Sequence, residues 1–69
     1  MLKDHNHDLV HSISEKCDGV WRYKKEYLKN SAGCPSCIKM WKKIMEDDEK
    51  HIEMLREEIE RHIKENRFD

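Results

Sequence analysis

The chain has little of what breaks helices or builds sheets: its 69 residues include one proline and two glycines, and aromatic side chains make up 7%. Such scarcity argues against a β-sandwich, which needs frequent turn residues, and against a disordered Pro- and Gly-rich tail. No stretch approaches the roughly 20 apolar residues of a membrane span, and Met1 to His11 lack an apolar run of signal-peptide length. A cytoplasmic protein without membrane attachment is expected. An excess of one charge is missing too. Lys and Arg number 14 against 15 Asp and Glu, interleaved along the chain, so no nucleic-acid surface emerges. The cysteines number three, which leaves one over in any disulfide framework and points instead to metal or redox use.

What is present is charge, 42% of residues, and helical periodicity. The one strong break is Asn30-Ser-Ala-Gly-Cys-Pro35, with Gly33 as a helix C-cap residue and Pro35 as a first-turn residue. The reading is a single all-α domain over residues 1–69, an antiparallel hairpin with helix one at about 6–30, a turn at 31–34 and helix two at about 35–66. On the second arm Trp41, Met45, Asp48, Ile52, Leu55, Ile59, His62 and Asn66 alternate by three and four, the spacing of a buried seam. On the first arm Val10, Ile13, Cys17, Val20, Lys24 and Tyr27 form the matching stripe, with Cys17 buried as packing. Either Asp4 or Asn6 caps this helix early, or Ser12 with Glu15 forms a capping box that starts it late; Val10 on the stripe favours the early start. Two helices leave half of each seam wet, and a chain this short is near the lower limit for a self-sufficient core. The expected remedy is pairing with a second copy into a four-helix bundle.

The seam carries one conspicuous misfit, Asp48. A buried carboxylate costs several kcal/mol unless a cation, a donor or a metal compensates it. His51 lies one turn further on, and a carboxylate-x-x-His pair on one helix face is a metal-binding geometry that suits iron, manganese or zinc. A fold at residues 32 to 33 brings Asp48 level with Cys17, and Glu15 is the level-matched third ligand. Glu15 is expected to point away from the hairpin stripe, so it would meet the Asp48 and His51 of a second chain. The ordinary alternative is an ion pair from Asp48 to Lys24 of a neighbouring hairpin or to a nearby Arg, with His51 as a boundary residue.

Other groups carry weaker signals. Cys34-Pro-Ser-Cys37 places a thiol at the N-cap of helix two, where free amides and the helix dipole favour a thiolate; the pair reads as a redox dithiol, as half of a zinc site shared by two chains, or as a structural turn. His7 and His11 stand one turn apart near the amino terminus, where adventitious metal binding is the safer reading. His62 reads as an interface histidine, because the first arm barely reaches its level. Lys24, level with Trp41, reads as a cation-π contact or as the partner of Asp48.

The segment Asp47-Asp-Glu-Lys-His-Ile-Glu-Met-Leu55 resembles the second-helix metal motif of ferritin-like and rubrerythrin-like proteins. The likeness is strongest to the encapsulated-ferritin type, whose subunits are helical hairpins. There, a Glu on helix one precedes a Trp by six residues, as Glu15 precedes Trp21, and helix two carries a carboxylate-x-x-His, as do Asp48 and His51. Asp48 stands where that carboxylate is normally Glu, one methylene longer. The resemblance implies a ferritin-like four-helix bundle of two chains, with two irons held between them by Glu15, Asp48 and His51 of each, Trp21 close behind, and Fe(II) oxidation as the activity. It also brings an encapsulin shell into view as a partner, although no docking tail is recognised. The other readings are a non-enzymatic helical adaptor and a dithiol module built on Cys34 and Cys37.

Overall fold

A computed structural model describes all of residues 1–69 and is helical throughout, without strands. Helix α1 runs Asp4–Arg22, passes into a π-helical turn at Tyr23–Tyr27 and ends in a short α2 at Leu28–Asn30; the return arm is α3, Pro35–Lys64. The turn is built from local chemistry. Ser31 N–H and Oγ both donate to Tyr27 O, and Cys34 N–H closes onto Ser31 O at 2.9 Å. Between them Gly33 sits at φ +89°, a region that side chains with a Cβ rarely adopt. Cys34 is then the N-cap of α3 and Pro35 occupies its first turn, where the missing amide costs nothing.

Helix α1 starts early, as Val10 on the stripe favours, but none of Asp4, Asn6 and Ser12 caps it. The helix begins at Asp4, and Lys3 O accepts from the amides of Asn6 and His7 without any side-chain cap. Ser12 lies in mid-helix, and Glu15 pairs with His11 at 2.8 Å rather than reaching back to an N-cap. Asn6 is drawn inward, fully buried, to a different task. Its Nδ2 donates to the main-chain oxygens of Arg67 and Asp69, while its Oδ1 lies 2.7 Å from Nδ1 of buried His62. The backbone supports the same clasp: Lys3 N–H donates to Asp69 O at 2.7 Å, Arg67 N–H to His62 O at 2.7 Å, and Asn66 takes φ 58°. The first arm therefore reaches the level of His62, because α1 starts early enough to place Asn6 there.

On α3 the inward residues from Trp41 through Ile59 are all partly buried and His62 fully so, as the seam spacing predicts; only Asn66, beyond the helix end, is exposed. Of the stripe predicted for the first arm, Ile13, Val20 and Tyr27 turn inward as expected, but the arm is rotated enough to leave the other three outside. Val10, Cys17 and Lys24 are exposed, and the positions that turn inward are Asn6, Leu9, Ile13, Lys16, Val20, Tyr23 and Tyr27. Asn6 and Lys16 among these are polar or cationic and two more are tyrosines, which hides the stripe from a reading of apolar periodicity alone. Near the turn Trp41 packs on Tyr23 (5.5 Å between ring centroids, nearly stacked) and on Tyr27 (5.0 Å, tilted). The wider π turn holds these two tyrosines, four residues apart, against one indole. Lys24 instead reaches Glu49 at 3.8 Å.

Candidate functional site

Asp48 is the centre of the hairpin's polar chemistry. Its side chain is 19% exposed and is compensated from both arms: Tyr23 Oη donates to Oδ2 at 3.2 Å, Lys16 Nζ lies 3.6 Å from Oδ1, and His51 Nδ1 lies 3.4 Å from the same oxygen. Burial, the negative charge of Asp48 and the hydrogen bond to it raise the Tyr23 phenol above its ordinary value. Tyr23 thus stays a protonated donor that fixes one carboxylate oxygen. The other faces Lys16 and His51. Lys16 and Tyr23 were not singled out by spacing, although the level rule that pairs Asp48 with Cys17 puts Lys16 one residue away.

Glu15, Asp48 and His51 are divided between two adjoining grooves. Glu15 and Asp48 line a groove of about 680 Å³ together with Ser12, Lys16, Gly19 and Tyr23. His51 lines an adjoining groove of about 530 Å³ with Leu9, Met54, Leu55 and Glu58, and both grooves share Ser12 and Lys16. Glu15 makes no contact with its own Asp48 or His51, in keeping with the expectation that it turns away from them; its one partner is His11, and it reaches only the rim of the groove. Glu15 stays 72% exposed and His51 50% exposed. Within one chain, no three His, Cys, Asp or Glu side chains converge as a metal-holding group. Trp21 is 56% exposed and lines neither groove. His7 and His11 meet edge to face at 5.8 Å, with His11 held by Glu15.

Height along the hairpin matters as much as facing. In α1 with its continuation, residues 4–30, and in α3, residues 35–64, Glu15, Asp48 and His51 fall near the middle of each arm.

At the turn Cys34 and Cys37 are both free and partly buried, and Cys34 Sγ is 3.5 Å from Ser36 Oγ. A hydrogen bond from the Cys37 thiol, followed by one from Ser36, lowers the Cys34 thiol below the usual range; the same bond to Cys34, with burial, raises Cys37. Cys17 is free and exposed, which corrects its expected place in the packing. No helix is long and apolar enough to cross a membrane. Comparison with family models, with curated proteins and with solved structures finds no match to this chain, so the site rests on its own geometry.

Proposed function

We propose that the chain is a ferritin-like non-haem iron protein that binds and oxidises Fe(II) at a site formed between two copies. What supports this reading is the part-buried Asp48 with His51 beside it on α3, and Glu15 in the same groove as Asp48, all near the mid-height of the hairpin. Carboxylate and imidazole donors suit Fe(II), and two copies supply four carboxylates and two imidazoles, enough for two ions with open positions left. Fe(II) is the substrate: two ions give up one electron each, and O₂ takes the pair with two protons to become H₂O₂.

The chain's own residues have definite parts. Asp48 is held ready by Tyr23 on one oxygen, and His51 beside it presents Nε2 away from Asp48. Lys16 is the cation paired with Asp48 in the absence of metal, and at 37% exposure it has room to swing off when another cation arrives. Glu15, tied only to His11 at the surface, is free to reach across to the partner.

One observation favours a different reading, a helical adaptor without metal: Asp48 already has three compensating groups inside its own chain. Anaerobic Fe(II) loading followed by air separates the two. The iron protein oxidises Fe(II) faster than buffer, and Glu15→Ala and His51→Ala each slow it by about tenfold or more. Variants that oxidise iron as fast as the parent would sink the proposal. The adaptor takes up no iron and keeps its oligomer after chelation.

A further inference from the structure

The turn carries chemistry that iron binding does not use. Cys34 and Cys37 are one helical turn apart at the start of a 30-residue helix, both unpaired and both reachable by solvent. Cys34 occupies the N-cap, outside the helical backbone at φ −120° and ψ 89°, with Pro35 behind it and the unpaired first-turn amides beside it. Its Sγ lies 3.5 Å from the Ser36 hydroxyl, with the Cys37 thiol as its other hydrogen-bonding neighbour. Gly33 leaves its flank open, since nothing lies within 4 Å of where a Cβ would stand. No acid or histidine joins the pair within the chain. Two thiols with a nucleophile and a proton-bearing neighbour are the working parts of a dithiol, whereas a zinc ion would need two further ligands.

We propose that Cys34 and Cys37 are a redox-active pair that reduces low-molecular-weight disulfides, with Cys34 as the attacking sulfur and Cys37 as the resolving one. A small disulfide is the substrate proposed because neither groove extends to the turn, and both thiols stand at an exposed helix start. In the first step the Cys34 thiolate attacks one sulfur of the disulfide, forming a mixed disulfide as the substrate S–S bond breaks; the released thiolate takes a proton from solvent. In the second, Cys37 loses its proton to solvent and attacks the Cys34 sulfur, closing the Cys34–Cys37 bond and expelling the second thiolate, which is protonated in turn. The two protein thiols are oxidised, and the substrate gains two electrons to become two thiols. The asymmetry of the pair suits this order, because Cys34 is stabilised as a thiolate at the expense of Cys37.

The test uses the reduced full-length chain with Cys17→Ser, mixed with glutathione disulfide at pH 7, quenched in acid and weighed intact. The expected product is lighter by two hydrogens, and Cys37→Ser accumulates a glutathione adduct on Cys34. Cys34→Ser reacts at least about tenfold more slowly than the parent. Alkylation followed against pH adds a reading independent of turnover: Cys34 becomes reactive at lower pH than Cys37. Both side chains are partly exposed and outside the seam, so circular dichroism should show unchanged helix in every variant. The proposal is overturned if Cys34→Ser and Cys37→Ser slow the first step equally, if the two cysteines alkylate with the same pH profile, or if the chain holds one zinc per two copies that shields both thiols.

Discussion

At the residue scale, the chain places its polar groups inward and satisfies them in pairs across the arms. Asp48 is held by Tyr23 and Lys16, and His62 by Asn6. Asn6→Ala removes three hydrogen bonds at once and leaves buried His62 without its Nδ1 partner, so a loss of about 1–3 kcal/mol is expected in urea unfolding. Lys16→Met removes the cation that competes with metal for Asp48. Under the proposed function it tightens Fe(II) binding, by up to about tenfold in an anaerobic titration. Acid acts on the same clasp from outside: Lys3, 3.3 Å from Asp69, holds that carboxyl below its ordinary value. A depressed carboxyl contributes stability above its unfolded pKa and loses it as pH falls through the folded one. Amide protection at Lys3 and Arg67, taken relative to the intrinsic exchange rate at each pH, should therefore fall below about pH 4 before the middle of the helices opens. Asp48 and His51 were legible as a pair because one helix and a fixed spacing define them. Lys16, Tyr23 and Asn6 were not, because their inward placement depends on how α1 is rotated against α3.

Among the elements, α3 and α1 show what periodicity can and cannot read. The seam of α3 from Trp41 to His62 has apolar residues on both sides of Asp48, and the spacing survives one polar interruption. On α1 the inward positions Asn6, Lys16 and Tyr23 are polar, whereas Val10 and Cys17 lie outside, so the apolar count follows a neighbouring stripe. Composition assigns the helices; the cross-arm partners set their rotation. The turn was readable from Gly33 and Pro35 because each has a backbone reason to be there. Gly33→Ala meets no atom, but it forces a Cβ into φ +89°, and a destabilisation of about 1 kcal/mol is expected from the melting temperature. The π turn at Tyr23–Tyr27 has no counterpart in the spacing, and it is what lets Tyr23 both pack on Trp41 and reach Asp48.

As a whole molecule the hairpin is slender. Its extents are 50 × 19 × 13 Å and its radius of gyration is 15.3 Å, against about 11 Å for a compact globule of this length. Only Val20, Asn6 and His62 are buried, so a single copy has almost no core while Trp21, Met40, Met54 and Ile63 remain exposed. Under the proposed function, apolar surface is buried against a second copy, and the two adjoining grooves that hold Glu15, Asp48, His51 and Met54 are where that pairing completes the metal site. Met54→Glu places a charge on that face. It should shift the chain towards monomer in sedimentation at micromolar concentration and reduce iron uptake with it. The most direct measurement of the central claim is native mass spectrometry of the chain before and after anaerobic Fe(II) loading, which reads metal and copy number together. Two irons on a pair of chains, lost in Glu15→Ala and His51→Ala, is the predicted result. A pair of chains that carries no iron, or that carries as much in those variants, would contradict it.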